Sequence, residues 1–165
     1  REELGRALTE CLKDVAAMLE HAHRVAIKQQ QALVDNDAEA IVLTSRAQEE
    51  VLRRIGESDE RAAAVASDLA EAAGLDVDST DSHSIAEAAG FPYNSLIEQE
   101  MNKIARLAER VERENEVNNT LVKNGLDIIA CCLRTVASDP GPTAYSKDAS
   151  LAEPQAYILS LDRRV

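Results

Sequence analysis

Three places in the chain carry side chains at spacings that perform chemistry in other proteins. Glu20-His21-Ala22-His23 contains one Glu-x-x-His step, the donor pattern of helical di-iron sites. Such sites take two copies of the step and two further carboxylates on facing helices. Only one copy is present, and His21 and His23, two residues apart on a helix, point away from each other. Asp76, Asp78, Thr80, Ser82, Ser84 and Glu87 occupy the ligand offsets of a calcium loop. However, Asp81 stands where the sharp turn needs glycine, and His83 stands where an aliphatic residue is usual. Lys103, Arg106, Arg110 and Arg113 recur at steps of three and four, as a polyanion site would require. Glu109, Glu112, Glu114 and Glu116 interleave with them, which reads as a solvated salt-bridge face. There is no Gly-x-Ser-x-Gly, no glycine-rich phosphate loop and no cysteine with a histidine base. The expectation is a protein that is not an enzyme and uses neither metal nor cofactor.

The remaining polar signal lies on an apolar seam. From about Leu96 to Val136, apolar residues step by three and four: Ile97, Met101, Ile104, Ala108, Val111, then Val122, Ile129, Cys132 and Val136. Two steps fall on Asn115 and Asn118, and a third on Gly125. An amide on an apolar seam costs stability unless it meets partners, so it has a use. In a core the pair fixes register; in a groove it hydrogen-bonds a partner. Leu121, Val122, Ile128, Ile129 and Leu133 likewise read either as bundle core or as a groove for an amphipathic helix from another protein.

Composition limits the partners. The net charge is −12, with 30 acidic against 18 basic residues, a balance that repels nucleic-acid phosphates and anionic lipid. Aromatic residues make up only 2 % of the chain, which suits packed helices better than a compact mixed globule. No run approaches the roughly 18 apolar residues of a membrane span, and none resembles a secretory leader. Cys11, Cys131 and Cys132 form an odd set with two neighbours about 100° apart on a helix. They read as reduced, structural thiols in a cytoplasmic protein.

The elements that position the seam follow from periodicity. Leu4, Leu8, Cys11, Val15, Met18, Ala22 and Val25 keep a heptad over about three repeats and predict a helix over 2–34, with Gln29 on its seam. Asn36, with Glu39 three later, predicts the cap of a second helix over 38–73, ended by Gly74. Gln48 and Asp59 interrupt its stripe, and Gly56 marks a soft point. A short helix over 83–89, capped by Ser82 or Ser84, precedes Gly90-Phe91-Pro92-Tyr93, whose aromatics are expected to plug the bundle end. The long helix follows over 95–137, until Pro140-Gly141-Pro142 stops it. The expectation is an all-α, elongated antiparallel bundle over 1–139, three long helices and a short one, with an irregular tail over 140–165.

At this point the chain resembles the FlgN family of flagellar export chaperones. The resemblance rests on the first helical hairpin, on Asn115-x-x-Asn118-Asn119-x-Leu121-Val122-x-x-Gly125-Leu126-x-x-Ile129, and on Thr143-Ala144-Tyr145 after the break. Two departures stand out: Ala144 separates Thr143 from Tyr145, and no glycine follows Tyr145 closely. The resemblance implies a cytoplasmic, non-enzymatic chaperone that binds helical C-terminal segments of hook–filament junction proteins. Its client surface maps onto Leu121, Val122, Leu126, Ile129 and Leu133, joined by Asn115 and Asn118. Tyr145 is the candidate for docking to the export gate of the flagellar type III apparatus. The alternative is a structural coiled-coil or adaptor protein that self-associates through the long last helix; the chaperone reading itself allows a homodimer when no client is bound.

Overall fold

A computed structural model describes residues 1–76 and 81–138, and all elements in it are helices: α1 (Glu2–Val34), α2 (Ala38–Ala73), α3 (Ser82–Ala89) and α4 (Tyr93–Ser138). The fold is the all-α bundle of three long helices and one short helix that the heptad spacing predicts. The chain divides into two compact units, Arg1–Lys123 and Asn124–Val165, so the division falls inside α4, upstream of the Pro/Gly break.

The turn between α1 and α2 is made by Asp35, Asn36 and Asp37. Asn36 takes a left-handed backbone at φ 53°, which its short polar side chain tolerates. That leaves Asp37 as the cap: its Oδ1 accepts from the Ala40 amide at 3.0 Å. The expected cap at Asn36 is thus displaced by one residue, because the chain must reverse before the new helix can start. The same correction applies to α3, where Asp81, not a serine, accepts from the Ser84 amide at 2.7 Å. Gly74 closes α2 in the left-handed conformation expected of it, φ 76°, its amide reaching the Glu71 carbonyl at 3.0 Å.

The core of the first unit is a stack of three clusters. Leu8, Ala62, Leu69, Ala86, Ala89 and Ile97 join all four helices at one end. Val15, Ala16, Leu19 and Leu107 form the middle with Ile55 and Ile104, and Ala22, Val25 and Val51 continue with Val111. Alanines let the helices approach closely, and Gly5 does so most: a Cβ there would stand 3.0 Å from the Ala89 Cβ and 3.1 Å from the Tyr93 Cβ. Gly56 is different, with open space around it inside a continuous α2. Phe91 does not plug the bundle end. It is 91 % exposed, following Gly90 at φ 73°, and takes no part in the core cluster, while Tyr93 is half-buried and packs against that cluster.

Candidate partner-binding face

Beyond Val111 the seam of the first unit turns polar. Asn118 is buried, and its Nδ2 donates to the Ala26 carbonyl at 2.9 Å and to Gln29 Oε1 at 3.3 Å. Gln29 Nε2 in turn donates to Ser45 Oγ at 3.3 Å. Gln48 Nε2 donates to Asn115 Oδ1 at 2.9 Å. All three long helices therefore meet in one amide layer. Gln29 and Gln48, which look like flaws in the stripes of α1 and α2, are the partners of the two asparagines. Sequence reasoning finds each of the four on a seam but does not pair them, since pairing depends on the relative register of three helices. The layer is not fully satisfied: Asn118 Oδ1 is buried without a partner. A small cleft of about 240 Å³ lies beside it, lined by Gln29, Leu33, Gln48, Asn115, Asn118, Asn119 and Val122.

Asn115 and Asn118 are thus engaged inside the first unit, the register-fixing use of a seam amide. Leu121 is half-buried, and Val122, at the rim of the cleft, is 42 % exposed.

The second unit, by itself, has the opposite character. Leu126, Ile128, Ile129, Leu133 and Val136 are between 56 % and 75 % exposed. They amount to on the order of 500 Å² of apolar surface, comparable with the largest apolar patch that a typical monomer exposes. A helix can present such a face to water without a backbone penalty, because its main-chain groups are satisfied internally. Cys131 and Cys132 are free and exposed on the same segment. Of the expected site residues, Leu126, Ile129 and Leu133 therefore lie on one exposed segment, joined by Ile128 and Val136. Tyr145 lies outside the described residues.

Several of the other chemically suggestive residues have ordinary partners, and Asp78 and Thr80 of the calcium-like spacing lie outside the described residues. His23 stands 3.9 Å from Glu114, and His21 is exposed. Arg113 reaches Glu109 at 3.7 Å, a pair within the interleaved charges of α4, whereas Lys103 reaches across to Glu20 of α1 at 2.9 Å. His83 Nδ1 lies 2.8 Å from Glu98 Oε1 and its Nε2 lies 3.7 Å from Glu87, so the ring ties α3 to α4. The hydrogen bond to Glu98, reinforced by the charges of Glu87 and Glu98, raises the His83 pKa above its ordinary 6.5. Among the described residues no group of three potential metal ligands comes together, and no helix is long and apolar enough to cross a membrane.

Comparison with known proteins adds one match. The model of the family described as FlgN protein matches residues 5–153, most of the chain. No curated protein and no solved structure matches significantly. With the family model spanning both the bundle and the exposed segment, the chain belongs to the FlgN family of flagellar export chaperones.

Proposed function

We propose that the chain holds the helical C-terminal segments of flagellar hook–filament junction proteins in the cytoplasm, keeps them from assembling prematurely, and brings them to the export apparatus. The observation that carries the reading is the run of exposed apolar side chains at Leu126, Ile128, Ile129, Leu133 and Val136, continuous in sequence with Val122. The client segments are themselves oligomerising amphipathic helices. A chaperone needs only to occupy their apolar faces, burying about 1,000 Å² in total, to keep them off one another. No bond is made or broken in holding, so the protein needs no catalytic group. Asn115 and Asn118 contribute indirectly, by fixing the helices from which the binding segment continues. Tyr145 is the proposed contact with the export gate.

The test is co-elution of the purified chain with the C-terminal segment of a hook–filament junction protein on gel filtration. A fixed-ratio complex is expected with the wild-type chain. Ile129→Asp and Leu133→Asp, both at exposed positions, should abolish it while leaving helicity and melting within error of wild type. Normal binding by both variants would show that the face is elsewhere. A tight, concentration-independent dimer of the chain alone, broken by the same substitutions, would favour the adaptor that self-associates.

A further inference from the structure

The width of the exposed face tells how many helices cover it. Successive residues of an α-helix are about 100° apart around its axis. Taking Ile129 as the centre, Val136 and Gly125 lie about 20° and 40° to one side, followed by Cys132 at about 60° and Ile128 at about 100°. On the other side Leu133 lies at about 40°, Leu126 at about 60° and Ala130 at about 100°. The apolar arc of the second unit therefore spans about 200°. Apart from Gly125, every one of these residues is exposed. The charged residues of the segment, Asp127 and Arg134, fall in the opposite arc, with Asn124, Cys131 and Thr135.

The first unit provides the calibration. There α4 packs against α1 and α2, as the mixed membership of the middle and far clusters shows, with α3 as a further neighbour around Ile97 and Met101. Below the α3 contact, from Lys103 to Leu121, the buried and half-buried residues of α4 span about 120°, from Lys103 and Leu121 on one side of Val111 to Asn115 on the other. The seam between just two helices, as in a coiled coil, is narrower than the stripe of about 100° that faces a core. An arc of about 200° is wider than both, and more than one partner helix covers. One helix from a second copy of the chain would leave about half of the arc in water, so a simple dimer does not complete the face.

We infer that the partner of this face supplies two amphipathic helices, lying on the Ile128–Cys132 side and on the Leu126–Ala130 side of α4, and that a single client helix does not suffice. The inference rests on the holding role proposed above and specifies the form of the client: a helical pair from one polypeptide, with apolar inner faces and no charge opposite Ile129. Together with α4 the pair forms a three-helix bundle. Each client helix then buries its oily face against both α4 and its sister, so the client is shielded more fully than in a one-to-one coil.

Thiol footprinting of the full chain tests this. Three proteins are prepared in a Cys11→Ser background. One keeps only Cys132. One keeps only Cys131, on the opposite arc. One carries Ala130→Cys with Cys131→Ser and Cys132→Ser. Each is alkylated with a maleimide, alone and with the C-terminal segment of a hook–filament junction protein at a concentration where co-elution shows full complex. Positions 130 and 132 are about 160° apart, too far for one helix to shield both. The expected result is about tenfold or greater slowing at both positions in the complex and little change at Cys131. Slowing at only one of the two, with complex formation intact, overturns the two-helix inference and leaves the holding role standing. Slowing at both without the segment also overturns it, because the face is then covered by the chain itself or by its copies. Failure to form any complex removes the holding role and the inference with it.

Discussion

Asn118 offers the sharpest test of how the bundle is held in register. Its side chain is 4 % exposed, makes one good and one long hydrogen bond through Nδ2, and leaves Oδ1 buried without a donor. An unmet buried acceptor costs about 1–3 kcal/mol, whereas each intramolecular hydrogen bond returns a net of about 0.5–1.5 kcal/mol. Asn118→Leu keeps the branched shape, removes the orphan and abandons the two bonds. What it leaves behind is tolerable: the Ala26 carbonyl retains its bond within α1, and the half-buried Gln29 can turn to water. The adjoining cleft of about 240 Å³ can take the extra volume of leucine. Burying the added apolar area contributes about 1 kcal/mol. The balance is a variant more stable by about 1 kcal/mol, or about 2–4 °C in Tm for a chain of this size. Asn118→Asp has the same shape with the opposite effect. It places a second acceptor against the Ala26 carbonyl and an unpaired charge in the core, costing about 3–5 kcal/mol. Melting followed by helical circular dichroism reads both. A leucine variant less stable by about 1 kcal/mol or more would mean that the two donated bonds outweigh the orphan. An aspartate variant within about 0.5 kcal/mol of wild type would mean that the site is not buried in solution.

Two glycines should respond oppositely to alanine. Gly56→Ala, in open space inside α2, should stabilise by about 0.5–1 kcal/mol. Gly5→Ala, whose Cβ would meet Ala89 and Tyr93 near 3 Å, should destabilise by about 1–3 kcal/mol in the same melts. The His83 bridge predicts a pH dependence. Its folded pKa is raised, so its contribution is fully present below about 6.5 and is lost as pH rises through the folded value. Stability should therefore fall slightly from pH 6 to pH 9, and Glu98→Gln, which removes the principal cause, should flatten the profile. An unchanged slope in Glu98→Gln would show that the bridge does not form in solution.

Most of the fold is legible in the sequence because helices are local. The heptad through Leu8, Val15, Ala22 and Val25, the Asp/Asn turn at 35–37, and Gly74 each act within a few residues. What escapes the sequence depends on distance. Asn36 yields the cap to Asp37 because the reversal consumes one more residue than the capping spacing suggests. Phe91 faces water although it is apolar, because the core at that end closes with Ala86, Ala89, Ile97 and the half-buried Tyr93 and without it. The amide layer is half visible: four polar residues on three seams are evident, but their pairing is fixed only when α1 and α4 meet with Ala26 beside Asn118. For the candidate face, the apolar pattern of 121–136 is the same whether it is core or surface. Periodicity alone gives no sign of where cover ends, and exposure decides it.

The two halves of the α4 pattern therefore use opposite solutions to one problem. A long apolar seam is free to slide by a heptad, and in the first unit Asn115 and Asn118 stop that slide at a cost in stability, since only the correct register gives both amides partners. In the second unit the described apolar arc contains no such amide. A face without a buried polar registration point accepts more than one partner sequence and more than one register, which suits the proposed holding role. The hazard of an oily face is self-association, and the net charge of −12 opposes it by mutual repulsion between copies. That repulsion is screened by salt. If charge is what keeps the copies apart, raising ionic strength should increase self-association of the wild-type chain measured by light scattering, and Leu133→Asp should suppress the increase. Salt-insensitive behaviour of the wild-type chain would show that something other than repulsion guards the face.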